Sequence, residues 1–506
     1  MPERADAYAP RELSKYRLLV RAGALLAVVV AGLTISPRDS QALPSFARQT
    51  GQPCGTCHTD FPGLTPYGRA FKLGGYTAGG GAFRTTPFKS FVSGGPYASA
   101  NPDDKNDQPK DKGWFPPISM MAVVGFTHTQ APLPPDPAPF APNDNVKPDP
   151  VSLFYGGAIT DHIGAFAQVT YVGASPGGLA PFDHVWTWDN TDIRYANSAM
   201  IGSIPFTYGM TVNNNPTVQD VWNTTPAWRF PYASSTIAPT PAAGTIIDGA
   251  FAAHVLSVGG YLWIDNKIYL ELSAYQTLDF NTQNSLGVNP GGAPGLLGTP
   301  APYFRAAFEP NWGNHYLMVG AFGMLASVHP WIDSSFATTN DTFSQTDKFT
   351  DLGFDAQYQY KGPNYWVTVR GSYINETQTL DASFANMLAA NPTNTLNTAR
   401  VQASFAYGND NRFVLTGQYF NTWGSSDSLL YGGLISCQPP NTDCSPNSDG
   451  WIAEIAYIPY GMSRAPVWPW FNMRLGLQYT KYHRFDGDTA NAGDNNTLFA
   501  YAWFAM

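Results

Sequence analysis

Apolar and polar residues alternate along most of the chain after residue 117. In "TDLGFDAQYQY", residues 350–360, Leu352, Phe354 and Tyr358 alternate with Asp351 and Asp355. A period of two residues predicts a β-strand with one apolar and one polar face. The pattern continues on the far side of short turns such as "KGPN" and "GNDN", which predicts antiparallel hairpins.

About sixteen segments carry this alternation, and each is near the roughly 9–11 residues that a tilted membrane strand needs. The predicted strands are 118–129, 151–159, 164–173, 186–197, 200–211, 253–264, 267–279, 303–310, 314–327, 348–360, 364–377, 398–408, 411–423, 450–459, 470–483 and 495–506.

The connections between these strands alternate between short turns and long loops. Short periplasmic turns and long external loops are the rule for outer-membrane barrels. The pattern therefore places both ends of the barrel domain toward the periplasm and the long loops outside. The stretch 212–252 is long enough to fold into the lumen instead, and the strand prediction around it is the weakest.

Composition favours the same class of protein. Charged residues make up 13% of the chain and aromatic residues 14%, whereas a soluble domain usually has about a quarter of its residues charged. The mean hydropathy is −0.21, and no long apolar run follows residue 42, which excludes a helical membrane protein. We expect an all-β fold, an antiparallel transmembrane outer-membrane β-barrel of about 16 strands over residues 118–506, with a small N-terminal segment before it.

The first 42 residues resemble an export signal. Basic residues up to Arg21 precede an apolar run at 22–33 that is too short to span a bilayer. Ser40 and Ala42 are small residues at the positions a signal peptidase recognises, so cleavage is expected after Ala42. A single N-terminal membrane anchor is the alternative.

The stretch "QPCGTCHTD" places Cys54, Cys57 and His58 in one CxxCH motif. A redox dithiol, half of a zinc site and covalent haem attachment are the candidate chemistries. In an exported protein CxxCH indicates haem c, with both thiols joined to the haem vinyl groups and His58 bound to the iron. Zinc needs about four ligands and no second CxxC is present; a thioredoxin-like dithiol needs a βα context that is missing. Residues 43–77 are thus predicted as a monohaem cytochrome segment and 78–117, rich in Gly, Pro and Asp, as a linker.

The sixth iron ligand is not identified by the local sequence, because no His or Met lies between Thr59 and Ser119. Met121 is a weak candidate, since its parity on the first strand directs it to the lumen, whereas Met120 and His128 have the opposite parity. A more remote side chain or an open site is also possible. A Met ligand would raise the reduction potential relative to His.

The two remaining cysteines, Cys437 and Cys444, lie close together in the loop-like stretch "SCQPPNTDCSP". In an oxidising compartment this spacing predicts a local disulfide. The connection pattern places it in an external loop.

The stretch "LPSFARQTGQPCGTCHTDFPGLTPYGRAFKLGGY", followed by a barrel of this length, resembles the fused cytochrome–porin outer-membrane proteins of iron-oxidising bacteria. "NNNPTVQDVWNTTPAWRFPY", residues 213–232, is similar to that family as well. The resemblance implies that the protein oxidises extracellular Fe(II) and passes electrons through one covalent haem c to a periplasmic c-type cytochrome or another carrier. An electron conduit for another donor, outward electron flow, and a diffusion porin with an accessory haem are the alternatives. A peroxidase would need a His or Arg on the distal side of the haem. Arg69 is near the motif, but a surface contact or a contact with a haem propionate is expected for it.

Residues 43–506 carry 22 Lys and Arg against 33 Asp and Glu, a net charge of −11. Such a balance attracts cations and makes nucleic acid an improbable partner. Carboxylate and imidazole suit Fe(II), and Asp183 and His184 in "FDHVW" are weak candidates for an Fe(II) site. Further loop carboxylates and histidines near outer strand ends are Asp136, Asp144, Asp149, His128, His329 and His483.

Overall fold

The structure is a computed structural model, and it describes residues 43–77, 117–133, 141–171, 186–331, 345–408, 410–438, 442–463 and 467–506. The predicted signal peptide (1–42) and nearly all of the predicted linker (78–116) lie outside the described residues. So do Asp136, Asp183 and His184.

The described chain is built mainly of β-strands, whose bounds follow in chain order. They are β1 (Ile118–Thr129), β2 (Asn145–Ala158), β3 (Ile163–Tyr171), β4 (Trp186–Ile201), β5 (Ile204–Asn213), β6 (Val255–Ile264), β7 (Ile268–Thr277), β8 (Gly295–Leu297), β9 (Ala301–Phe308), β10 (Asn311–Trp312), β11 (His315–Pro330), β12 (Asp347–Lys361), β13 (Tyr365–Thr379), β14 (Thr393–Tyr407), β15 (Phe413–Gly424), β16 (Ser448–Tyr457), β17 (Asn472–Arg484) and β18 (Thr497–Ala505).

Sixteen long strands form one closed antiparallel barrel. Each long strand pairs with the next along the chain, and β9 pairs directly with both β7 and β11, so the short β8 and β10 are accessory. β1 pairs with β18 from Met121–Ala505 to Thr129–Thr497, which closes the sheet. The predicted sixteen-stranded barrel is confirmed.

The barrel is apolar outside and polar inside. In β12, Leu352 and Phe354 are 46% and 62% exposed, whereas Asp351 and Asp355 are 0% and 6% exposed. The same alternation recurs along β14 and β15. This is the reverse of a soluble sheet and matches a strand whose outer face contacts lipid and whose inner face lines a polar lumen.

We call the two rims the short-turn end and the long-loop end. The short-turn end carries both the start of β1 and the end of β18, because Met120 and Met506 exchange backbone hydrogen bonds of 2.6 Å. Aromatic side chains cluster at this rim, including the stacked pair Phe413 and Tyr457, with ring centroids 4.9 Å apart. Aromatic girdles at the membrane interfaces are typical of such barrels.

The helices are short and form no part of the barrel wall. They are α1 (Pro44–Thr50), α2 (Cys54–Cys57), α3 (Pro66–Leu73), α4 (Phe280–Ser285), α5 (Asp381–Ala385), the 3-10 helices Pro226–Trp228, Pro290–Gly292, Ile435–Cys437 and Ala492–Asn495, and the π-helix Ile246–Ala250. Within the described ranges, none of the helices has the length and apolarity to cross a membrane.

Residues 214–252, here called the inner segment, fold into the lumen. Val218 and Trp222 are buried, and Arg370 of β13 donates a hydrogen bond of 3.0 Å to the carbonyl of Trp222. Gln478 of β17 donates to the carbonyl of Ala233 at 3.2 Å, so the segment contacts opposite parts of the wall. Of the two courses that the sequence allowed for this stretch, the inward one is observed.

The first long loop is shorter than the sequence predicts. Asp149 lies in β2 with its side chain buried, where it accepts a hydrogen bond from the backbone N–H of Thr236 at 3.1 Å. The prediction missed this part of β2 because Pro148 and Pro150 interrupt the alternation, and proline is rare within strands except at edges and bulges. A register shift between Ala122 and Val123 leaves Pro150 without a partner in β1, whereas Pro148 pairs in register with Val124.

The outer face should tolerate a charge at a strand end far better than at mid-strand. Val401 lies at the middle of β14 and is 57% exposed, whereas Tyr407 ends the strand at the rim. We expect Val401→Arg to lower the free energy of unfolding by about 2–4 kcal/mol and Tyr407→Arg by about 0–1 kcal/mol, because the cost of a charge depends on depth in the bilayer. Reversible denaturant unfolding in lipid vesicles measures both; equal losses would contradict a lipid-facing surface.

Candidate functional site

The CxxCH motif forms one tight helical turn. Pro53 precedes α2, and the backbone N–H of His58 donates 2.9 Å to the carbonyl of Cys54. This turn directs Cys54, Cys57 and His58 into the same cavity. The motif therefore adopts the arrangement that one ligand with three attachment points requires.

α3 packs directly against this turn. Thr65 donates from its backbone N–H to the carbonyl of Cys57 at 2.9 Å and from Oγ1 to the carbonyl of Thr56 at 2.6 Å. A Cβ placed on Gly68 would lie 2.2 Å from the Cys57 oxygen. The close approach explains why "PYGRAF" has glycine at this point, since only a residue without Cβ fits.

The barrel wall holds the motif at the short-turn end. The backbone N–H of Gly55 donates 2.7 Å to the carbonyl of Met462, in the turn between β16 and β17. Asn411, in the turn before β15, donates 3.0 Å to the carbonyl of Thr59. The motif is thus fixed by two turns of the rim.

Two buried arginines join the N-terminal segment, residues 43–77, to the wall. Arg69 of α3 forms an ion pair with Glu309 and donates 2.7 Å to Gln359 Oε1. Arg474 of β17 pairs with Glu454 at 2.6 Å and donates 2.9 Å to the carbonyl of Phe61. Arg69 is 2% exposed, so the surface contact expected for it is wrong: its guanidinium docks the segment inside the barrel. The alternative, a contact with a haem propionate, stays a prediction.

The far end of α3 contacts both the wall and the inner segment. Lys72 Nζ donates to the carbonyls of Val218 at 2.7 Å and Asp220 at 2.8 Å. Tyr76 donates 2.6 Å to Asp192 of β4. Burial, followed by the charge of Arg194, lowers the pKa of Lys72 to about 7.

A cavity of about 380 Å³ lies between the N-terminal segment, the inner segment and the wall. This volume is within the usual range of cofactor and ligand sites, roughly 300–1,000 Å³. Its walls are largely aromatic and apolar, with cationic groups at a few points. The lining includes Cys54, Cys57, His58, Phe46, Phe61, Phe71, Phe154, Phe166, Trp228, Lys72, Arg229 and Arg474.

The chemistry of the donor set fits haem c and disfavours a redox dithiol. Burial raises the pKa of the Cys54 and Cys57 thiols to about 12, whereas a reactive dithiol needs a lowered pKa. Burial also lowers the pKa of His58, against the opposing effects of the Pro62 backbone and Asp60. A neutral imidazole is the form that binds a metal.

Three methionines line the same cavity: Met120, Met121 and Met473. Met121 lines the cavity that contains His58, as its parity predicts, and its role as a ligand stays a prediction. Met120 lines the same cavity although its parity indicates the outer face. Met473 was not a candidate, because its alternation in "FNMRLGLQY" indicates the outer face. It lies at the rim, one residue into β17, and is 1% exposed. No sequence signal identifies it, since parity is informative only where the strand is regular.

The other predicted residues that the structure describes lie away from the cavity. His128 contacts Asp144 at 2.7 Å and His483 contacts Asp449 at 3.2 Å, both near the long-loop end. His329 lies in β11. Cys437 and Cys444 form a disulfide, in the long connection between β15 and β16.

No family model matches the chain, and no curated protein matches it. Among solved structures, OmpF of Salmonella typhi in complex with daunomycin is 12% identical, covers 77% of this chain and 97% of its own, and has a TM-score of 0.40. The outer membrane channel DcaP of Acinetobacter baumannii is 12% identical over 77% and 96%, with a TM-score of 0.40. OmpT of Vibrio cholerae is 10% identical over 77% and 96%, with a TM-score of 0.37. Likeness at this level carries no argument about function.

The class of the protein follows from its own geometry. A closed antiparallel barrel with an apolar exterior, a polar lumen, and short turns at one rim opposite long loops at the other defines a porin-like outer-membrane β-barrel.

Adding one methyl group at Gly68 tests the contact between α3 and the CxxCH turn. We expect Gly68→Ala to weaken docking of residues 43–77 by about 1–3 kcal/mol, the usual cost of overpacking, because the new Cβ meets the Cys57 carbonyl. Hydrogen exchange of the segment measures the effect. Gly417→Ala, where a Cβ has open space, is the matched control; unchanged protection in Gly68→Ala would refute the close packing.

Proposed function

We propose that this protein is an outer-membrane cytochrome–porin that oxidises extracellular Fe(II) and passes the electrons through a haem c to a carrier in the periplasm. The observation that carries the proposal is the CxxCH motif held inside the barrel, with Cys54, Cys57 and His58 lining one largely apolar cavity. A haem c bound there supplies a reversible one-electron iron couple.

The residues around the cavity have definable tasks. Cys54 and Cys57 hold the group covalently and His58 binds its iron. The aromatic lining excludes water, while Lys72, Arg229 and Arg474 are the cationic groups suited to its carboxylates. The hydrogen bonds from Gly55 to Met462 and from Asn411 to Thr59 keep the motif at the short-turn end. In an outer-membrane barrel this end faces the periplasm. A periplasmic electron carrier would therefore dock at this end.

The filled lumen favours electron transfer over solute diffusion. The N-terminal and inner segments cross the barrel interior, and residues 214–226 of the inner segment are buried there. An electron needs no open channel, whereas a diffusing solute does. The net charge of −11 in residues 43–506 also favours a cationic donor.

The first test mixes the oxidised, purified holoprotein in detergent anaerobically with Fe(II) and follows absorbance by stopped flow. We expect rapid appearance of a reduced c-type haem spectrum in wild type and its loss in His58→Ala. A Cys437→Ser/Cys444→Ser double variant is the control, because its disulfide is remote from the cavity and it should behave like wild type. A haem that stays oxidised with Fe(II) but reduces with dithionite would refute direct iron oxidation and favour another donor or outward flow.

The sixth ligand can be assigned by redox titration. We propose Met121, since it lines the cavity with His58, and expect Met121→Leu to lower the midpoint potential because Met ligation raises it. Met200→Leu, at an outward and 60% exposed position, should leave the potential unchanged. A shift in Met473→Leu with none in Met121→Leu would assign Met473 instead.

A further inference from the structure

Lys72 is a buried cation on the wall of the cavity and has no close counter-ion. Its side chain lines the cavity, it is 6% exposed, and its Nζ lies 4.6 Å from the centre of the Trp228 ring. Two of its three N–H groups donate to the carbonyls of Val218 and Asp220. Among the residues that the structure describes, no carboxylate forms an ion pair with it. A buried charge without such a partner is strongly destabilising.

The charged side chains that face Lys72 all have other partners. They are Asp192 and Arg194 of β4, Asp220 of the inner segment and Glu271 of β7. Asp192 pairs with Arg194 at 2.8 Å, and Asp220 pairs with Arg305 of β9 at 3.4 Å. Glu271 accepts hydrogen bonds from neutral side chains. These carboxylates do not offset burial, which together with the charge of Arg194 lowers the pKa of Lys72 to about 7.

The two arginines of the cavity differ from Lys72, because both are neutralised by the chain itself. Arg229 forms an ion pair with Asp248, and Arg474 pairs with Glu454 at 2.6 Å. Within the described ranges, Lys72 is therefore the lysine or arginine of the lining whose charge has no ion-pair partner. An anionic group of a molecule in the cavity would be stabilised most at this side chain.

Asn223 of the inner segment has an unsatisfied amide on the same cavity wall. It lines the cavity and is 5% exposed, and its Oδ1 is buried without a hydrogen-bond partner. Its Nδ2 makes no hydrogen bond to any part of the chain that the structure describes. Buried polar side chains without partners are rare in folded proteins. The Nδ2 group carries two N–H donors, which can bind an acceptor on a molecule in the cavity.

The backbone around Asn223 is held on both sides. Arg370 donates 3.0 Å to the carbonyl of Trp222, and the N–H of Thr224 donates 3.1 Å to the carboxylate of Asp220. Asn223 itself has a φ of +59°, a left-handed conformation that asparagine tolerates better than most residues. Since Lys72 also contacts Asp220, through its carbonyl, the lysine and the asparagine meet at one turn of the inner segment.

We infer that Lys72 and Asn223 form a binding subsite for a carboxylate of the molecule that occupies the cavity. Lys72 supplies the charge and Asn223 supplies an N–H donor. Charge-assisted hydrogen bonds to an anion are about twice as strong as neutral ones. A carboxylate bound by both residues also bridges α3 and the inner segment, so the occupant holds the two segments together.

The subsite is separate from the covalent attachment residues. Gly68 is the residue of α3 that meets Cys57, and Lys72 lies one helical turn further along, roughly 6 Å away. A haem joined through its vinyl groups to Cys54 and Cys57 has its propionates on another edge, so a second anchor away from the motif suits it. Haem as the occupant rests on the proposed function, whereas the preference for a carboxylate can be tested without it.

The test compares two porphyrins that differ in their carboxylates alone. The full-length Cys54→Ser/Cys57→Ser chain, which cannot attach haem, is titrated in detergent with protoporphyrin IX and with its dimethyl ester, and porphyrin fluorescence reports binding. We expect the acid to bind about tenfold or more tighter than the ester, the effect of hydrogen bonds to a charged group. Adding Lys72→Met or Asn223→Asp should abolish this preference and leave the affinity for the ester unchanged.

The turn between β6 and β7 offers matched controls. Lys267 is exposed there, and Asn266 beside it also has a left-handed backbone, with a φ of +53°. Lys267→Met and Asn266→Asp make the same chemical changes away from the cavity. Both should keep the preference for the acid.

Three results would overturn the inference. The first is equal affinity for acid and ester in the parent chain, and the second is a preference that persists in Lys72→Met. The third is an equal loss of acid and ester binding in Lys72→Met, because it would assign Lys72 a role in folding alone. If the variants fail to fold, a structure of the parent chain with protoporphyrin IX decides: a carboxylate hydrogen-bonded to Lys72 supports the subsite, and carboxylates bound elsewhere refute it.

Haem content and stopped flow with Fe(II) test the proposed function separately. A wild-type protein that carries no haem, together with a preference for the acid in the Cys54→Ser/Cys57→Ser chain, would support the subsite and refute the cytochrome. Reduction of an attached haem by Fe(II), without any preference for the acid, would do the reverse.

Discussion

The closed backbone hydrogen bonding of the barrel is the constraint on which the rest of the structure depends. In a bilayer no water satisfies a free strand edge, so the sheet must close on itself, as β1 and β18 do here. In a closed barrel, alternate residues of each strand face the lipid and the lumen, so the outside is apolar and the inside is polar. Buried charged groups then need partners within the lumen, because an unpaired buried charge is strongly destabilising. Ion pairs are therefore expected in the lumen. A segment docked there can supply one partner of such a pair, as Arg69 does for Glu309.

The N-terminal segment, residues 43–77, is held by these buried polar groups of the lumen. Thirty-five residues are too few to enclose a cofactor alone, since chains below about 40 residues usually need additional support. Here the support is the barrel: Arg69 reaches Glu309, and Arg474 reaches back to Phe61. The cavity is consequently shared, with its attachment residues on the segment and much of its lining on the wall. The N-terminal segment and the barrel of this one chain thus form one site.

The sequence predicted the barrel well because lipid and lumen impose opposite requirements on alternate residues, and that signal repeats sixteen times. It also indicated that Cys54, Cys57 and His58 lie together, because a CxxCH turn is local; their binding of haem stays a prediction. It did not indicate the burial of Arg69 or the position of Met473, since both depend on contacts between residues hundreds of positions apart. Asp149 was missed where prolines obscure the period.

The inner segment, residues 214–252, is held in the lumen by specific hydrogen bonds. A long connection in a porin-like barrel is free to fold outward, and its inward course costs conformational entropy that contacts must offset. The contacts observed are directional: Arg370 to the Trp222 carbonyl, and Asp351 to the Ile247 N–H. Such bonds fix one arrangement, whereas apolar packing alone tolerates several. In a diffusion barrel a segment of this kind narrows the path of the solute. A barrel that must hold a redox group at a constant position between an external donor and an internal acceptor does gain from it, because the electron's path is then set by the protein.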